Sequence, residues 1–265
     1  VPGTLFKRND PVTPEMIAKL RDKGVQNIWI RSPMTCKAKN VPCQLCAGRG
    51  PEGKLWAIGT NIGYNYGQAI SERATQLTMK TFHAGGTVGA GDALMSGFNR
   101  LRELLTSPET IREQGTLATA AGRVNSIRPA PQGGMYIDIV SGDGKTHEHH
   151  IQTGRSVVVT AGSKVEAGDE LSDGNFRPDD IAALRGGLAA QRYVTDEIKK
   201  SYAAAGATVR KPVIEVLVAG LMRDVEITND GGEADLTIGD IIHENEYTRR
   251  KAKNPKIEAK PSILG

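Results

Sequence analysis

The sequence predicts an α+β chain built from several small parts, not an autonomous compact single domain, and three observations carry that expectation. Apolar residues recur at helical spacing in two stretches separated by a run of glycines. A later stretch is made of short alternating segments cut by turn residues, and a cluster of cysteines interrupts the first part. The expected parts are a strand and helix segment with a zinc knuckle over 1–55, a helix–hinge–helix over 56–106, a β-rich module over 107–175, and a helical segment with a basic tail over 176–265. With 265 residues, 38% of them hydrophobic, the chain is long enough to bury a core. Aromatics are only 5%, so that core is expected to be thin and built from Val, Ile, Leu and Ala.

The first helix is marked by Thr13-Pro14-Glu15, with Ile17, Leu20 and Val25 on its apolar side, and "NIWIRS" reads as a strand. From Trp56 to His83, Ile58, Ile62, Tyr66 and Ile70 recur every four residues and Leu77 follows seven further on, which predicts one long helix. Gly85, Gly86, Gly89 and Gly91 break it, and Leu94, Phe98, Leu101 and Leu105 start a second amphipathic helix.

Residues 134–173 read as short strands around turns, forming a small antiparallel sheet or barrel; "VTAGSKVEAGDELSDG" has the look of a barrel-sandwich hybrid hairpin. A helix capped by Asp179 or Asp180 is expected to run to Gly206, and "PVIEVLVAGLM" fits either a helix or a buried strand. The histidines of "HEHH" are expected at a solvated hairpin end rather than on a metal, and the acidic residues 169, 170 and 173 fit turns better than a calcium loop.

The three cysteines lie in "MTCKAKNVPCQLCAGRG". Cys43 and Cys46 form a C-x2-C pair, and with Cys36 they have the spacing of a zinc knuckle. Three thiolates leave tetrahedral zinc one ligand short, and the glycines and basic residues around them offer neither a general base nor a pocket. The preferred reading is a structural site whose fourth ligand comes from elsewhere; three reduced thiols or a redox pair are the alternatives.

In "TQLTMKTFHAGG" a helix places Gln76, Met79 and His83 on one face, with Lys80 on its edge. An amide, a soft apolar surface, an ammonium and an imidazole together suit a planar, phosphorylated ligand. Ordering the glycine run that follows costs about 1–2 kcal/mol per residue, so the segment is expected to close over a ligand and reopen, as a lid does.

Basic and acidic residues nearly balance, 34 against 30, so net charge does not point to nucleic acid. The stretch "RRKAKNPKIEAK" holds six basic residues and one acidic one and reads as a solvated tail. No apolar run approaches the length of a membrane span and no signal pattern opens the chain, so a cytoplasmic protein with no membrane partner is expected. It begins with Val1 and stops at Gly265, which suggests a processed piece or ends that belong to something larger.

"CQLCAGRG" followed by "GYNYGQAISERATQLTMKTFHAGG" resembles the region of the largest (β′) subunit of bacterial-type multisubunit RNA polymerase that runs from its second zinc site into the trigger loop. "RSPMTCKAKNVPCQLC" is similar to the C-x6-C-x2-C part of that site, and "FNRLRELL" to the second trigger helix. "AGSKVEAGDELSDG" through "VIEVLVAGLMR" resembles the segment after the jaw, and "EYTRR…AKPSILG" the approach to the subunit's C-terminal end. The resemblance covers nearly the whole chain in order.

It implies a portion of a DNA-directed RNA polymerase, a nucleotidyltransferase, inactive alone. Met79 would stack on the incoming base with Gln76 and Leu77 in support, and Lys80 and His83 would approach the triphosphate. Cys36, Cys43 and Cys46 would hold structural Zn2+, whereas Mg2+ would be bound by another part of the enzyme. The implied partners are the other polymerase subunits, the DNA template, the RNA–DNA hybrid and the NTP.

The family usually has Arg where Lys80 stands, and its Gly-Glu-Pro-Gly reads Ser71-Glu72-Arg73-Ala74 here. The Asp-rich "NADFDGD" magnesium loop and the bridge helix are not in these residues. That pattern is expected of a split, phage-like or truncated form acting in a bacterial or infected cell, or packaged in a virion. The alternative is a free-standing zinc module that binds nucleic acid or regulates a polymerase; a lipoyl-like carrier built on Lys164 is weaker.

Overall fold

The computed structural model describes residues 6–38, 42–83, 90–204 and 206–262, and within these the side chains of 76–83, 90–96 and 98 are left aside. Helix α1 (Pro14–Asp22) starts where expected, because the Thr13 hydroxyl accepts a hydrogen bond from the Met16 amide at 3.2 Å and Pro14 needs no amide partner. The "NIWIRS" stretch forms no strand among the described residues, and Trp29 and Ile30 are fully and largely exposed.

Helix α2 (Gln44–Ala47) carries the cysteine pair. Helix α3 (Ile62–His83) begins later than expected, because the Asn61 side chain accepts from the Tyr64 amide at 3.0 Å and sets the first turn there. Positive-φ Gly53 and Gly59 keep the preceding residues in turns. Helix α4 (Ala90–Thr106) is the second arm and takes in Gly91, one of the glycines expected to break the helix; Gly85, Gly86 and Gly89 lie outside the described residues.

The β module is a four-stranded antiparallel sheet of β1 (Gly122–Pro129), β2 (Met135–Ser141), β3 (Thr146–Ile151) and β4 (Lys164–Val165), in the order β3-β2-β1-β4. Strand β1 precedes the region the alternation marked: a bulge between Val124 and Ser126 breaks its two-residue period and hides the pattern. Val124, Ile137, Ile139, Ile151, Val165 and Leu171 fill the module's core. At Gly134 (φ +82°) an added Cβ would lie 2.0 Å from the Ile151 carbonyl oxygen, so only glycine turns the chain into β2.

The long C-terminal helix is two helices, α5 (Pro178–Arg185) and α6 (Gly187–Ala204), separated by Gly186 at φ +86°. Arg177, followed by Pro178, occupies the cap position of α5, and Asp179 and Asp180 lie inside its first turn, where carboxylates favour the helix dipole. The ambiguous apolar run is helix α7 (Lys211–Met222), whose Val213, Ile214, Val216, Val218, Ala219 and Met222 are buried.

Beyond these helices the C-terminal part adds a small antiparallel sheet of β5 (Asp224–Asn229), β6 (Ile241–His243) and β7 (Glu258–Ser262), ordered β6-β5-β7, with helix α8 (Glu244–Lys253) before β7. The basic stretch is therefore not a free tail. It lies in α8 and β7, and Arg250 is held by Glu233, Asp235 and Glu246 at 2.9, 3.0 and 2.9 Å.

The described residues form three apolar clusters. The largest joins α5, α6 and α7 to Met34, Tyr66 of α3 and Leu104 of α4; the others fill the β module and the C-terminal sheet. Among the described residues no helix is long and apolar enough to cross a membrane.

Candidate metal centre and helical arm

The cysteine cluster is assembled by two turns and held by the main core. A turn at Ser32–Thr35 delivers Cys36, whose amide reaches the Pro33 carbonyl at 3.3 Å. Arg223, at the C-terminal cap of α7 and only 5% exposed, donates to the Cys36 carbonyl at 2.8 Å. Ser32 donates to Glu215 of α7 at 2.9 Å. An arginine closing an apolar helix is the sequence signal for this clamp, and it is a weak one.

Cys43 caps α2 and Cys46 sits inside it, so one short helix presents both sulfurs. The Cys43 amide donates to the Cys36 sulfur at 3.2 Å, and an Arg31 guanidinium N–H to the Cys46 sulfur at 3.7 Å. All three sulfurs lie within 4.8 Å of one another, and among the described residues they are the one group of three or more Cys, His, Asp or Glu side chains so placed.

Zinc bonded to each sulfur at about 2.3 Å would need them about 3.8 Å apart in a tetrahedron, so a small contraction suffices. Cys36 and Cys46 are buried and Cys43 is exposed, which leaves an outer side open to a further ligand. Amides around Cys43, that of Cys46 first, hold its thiol below the usual range. Burial pushes the Cys46 thiol up to about 11, against the Arg31 contact. A cation is what would make three adjacent thiolates compatible.

The same α7 that clamps the cysteines supports the arm. The Trp56 indole donates to the buried Tyr66 hydroxyl at 3.0 Å, and Arg73 of α3 donates to the Thr208 carbonyl just before α7 at 2.7 Å. The α3 backbone is helical without a break to His83, so Gln76, Met79 and His83 keep helical spacing on the chain. The side chains of Gln76, Leu77, Met79, Lys80 and His83 lie outside the described residues.

The "HEHH" histidines part company. His149 is 6% exposed and not at a solvated hairpin end, because β3 turns it inward under the sheet. Its Nδ1 lies 3.1 Å from the His147 carbonyl, and its Nε2 accepts from the Thr119 amide at 3.0 Å. That pairing needs a neutral ring, and burial lowers its pKa accordingly.

Comparison with known proteins adds what geometry alone does not. The family model "RNA polymerase Rpb1, domain 5" matches residues 21–237. The DNA-directed RNA polymerase subunit beta′ of Symbiobacterium thermophilum is 33% identical over 97% of this chain and 22% of its own length. The corresponding subunits of Moorella thermoacetica and Pelotomaculum thermopropionicum are 30% and 33% identical, each over 97% of this chain and 22% of theirs. The chain thus spans about a fifth of the length of the curated relatives it matches.

Proposed function

The chain belongs to the RNA polymerase Rpb1 domain 5 family, and from that membership we propose that it works as part of the β′ subunit of a DNA-directed RNA polymerase, with α3 and α4 as the arms of a lid that closes on the incoming NTP. The observation that supports this most is the unbroken α3 helix, which carries the "TQLTMKTFH" residues out from the α7 base.

Phosphoryl transfer needs mainly positioning and stabilisation of developing charge. In this reading Met79 packs on the base, and Gln76 and Leu77 hold Met79 in place. Lys80 offers a point charge to the triphosphate, where an arginine would offer a bidentate fork. His83 positions the leaving phosphates or donates a proton to them. Mg2+ and the carboxylates that bind it come from another part of the enzyme.

Cys36, Cys43 and Cys46 would hold a structural zinc with the fourth ligand from outside this chain. Zinc there adds rigidity: the cluster reaches the arm through α7 and through Gln44, whose amide donates to the carbonyl of Trp56 at 2.7 Å. The rest of the β′-like subunit would pack on the exposed apolar residues beside the cluster, Trp29, Ile30, Leu45 and Leu55. Template DNA, the RNA–DNA hybrid and NTP are the ligands of the assembly, which would act in the cytoplasm.

Affinity purification of the tagged chain from its native cell tests the proposal. A stoichiometric partner bearing an Asp-rich magnesium loop is expected. A stable monomer without such a partner would instead favour a free-standing zinc module.

A further inference from the structure

Where α4 ends, a buried charged junction joins it to the β module, and nothing in the proposed lid chemistry uses it. Arg100 is 8% exposed. Its Nη2 donates to the Phe176 carbonyl at 3.0 Å and to the Tyr193 hydroxyl at 2.7 Å, and its Nη1 to Glu103 Oε2 at 3.4 Å. Its Nε lies 3.7 Å from Glu197 Oε2 of α6 and has no hydrogen-bond partner among the described residues. The Tyr193 hydroxyl also accepts from the Phe176 amide at 2.9 Å, and the second Glu103 oxygen from the Arg112 amide at 3.2 Å.

Arg112 and Phe176 stand on the two chains through which the β module is inserted between α4 and α5. Those chains are zipped together: Gly115 donates to the Asn175 carbonyl at 2.8 Å, Asn175 to the Glu113 carbonyl at 2.8 Å, and the Asn175 side chain to the Arg112 carbonyl at 2.9 Å. There is no slack in this stalk, because a Cβ on Gly115 would come within 2.6 Å of the Phe176 ring. Arg100 grips one chain of the stalk directly and the other through Glu103.

A buried guanidinium is tolerated only when its partners are well placed, and such groups serve best to fix one arrangement among several. The rigid planar fork holds a carbonyl, a hydroxyl and a carboxylate in one fixed geometry, where a lysine ammonium is a point charge on a flexible stem. We propose that Arg100 is a positioning residue that locks the β module's stalk to α4, so that module and arm turn as one body and a contact made by the module is felt at the arm. Its consequence for nucleotide addition rests on the function proposed above; the lock itself does not.

The test is a distance distribution in the full chain, without nucleotide or partner, between nitroxides on unnatural residues replacing Arg102 of α4 and Thr146 of β3, both exposed. The native chain should give one narrow peak. Arg100→Met should at least double its width while circular dichroism is unchanged, and Arg100→Lys should fall between the two. A role in stability alone would lower the melting temperature and leave the width as it was. A folded Arg100→Met chain with the native width overturns the proposal. If that variant does not fold, Tyr193→Phe decides: broadening supports the lock, and an unchanged width overturns it.

Discussion

Lowering the pH should loosen the β module through one residue, His149. Buried under the sheet, its ring is held neutral, with Nδ1 toward the His147 carbonyl and Nε2 accepting from the Thr119 amide. Burial depresses its folded pKa below the ordinary histidine value of 6.5. The sign follows: the unfolded chain takes up a proton more readily, so stability is full above about pH 6.5 and falls as pH drops toward the folded pKa. Each pH unit inside that window costs about 1.4 kcal/mol at most. Between pH 7.5 and 5.5 the loss from this histidine should therefore be no more than about 1.4 kcal/mol. Urea unfolding followed by far-ultraviolet circular dichroism at the two pH values measures it. His149→Gln, whose amide oxygen can still accept from Thr119 but cannot titrate, should remove that part of the pH dependence. His243 is also depressed by burial and acts in both chains, so it cancels in the difference. Equal pH dependence in the native and His149→Gln proteins would mean that His149 is not held neutral in the folded chain.

Two further outcomes follow from packing and from the cysteine cluster. Ile139→Ala, at a side chain with no exposure in the module core, should cost about 2–5 kcal/mol in chemical denaturation, and a loss under 1 kcal/mol would mean the core is not packed as described. Metal analysis of the assembled complex should find one zinc attributable to this chain, lost on Cys36→Ala; no zinc in the native complex would leave only the reading of three thiols.

Much of this was legible because it depended on local pattern. Thr13 with Pro14 fixed the start of α1, the apolar spacing marked both arms, and the cysteine spacing announced a cluster whose sulfurs do converge. What was hidden depended on distant partners or local irregularity. The bulge in β1 scrambled its alternation, Asn61 cut α3 short, and Gly186 split a helix whose apolar period runs on across it. The C-terminal sheet pairs β5 with a strand that begins at Glu258, and the lysines around that strand read as a tail until Ile257 is seen in a core. "NIWIRS" shows the opposite case, a strand-like sequence with no partner among the described residues. Arg100 gave only an Arg-x-x-Glu spacing with Glu103, which also suits an ordinary surface ion pair, and nothing in the sequence says that its other partners come from beyond the β module.

Whether the α3 arm acts on the incoming nucleotide, as proposed, is decided by single-nucleotide addition in the assembled polymerase carrying His83→Ala or Met79→Ala in this chain. Both variants should assemble normally and add nucleotides about tenfold more slowly or worse, in keeping with lost proton-transfer or positioning help. Unchanged addition rates in a fully assembled enzyme would contradict it.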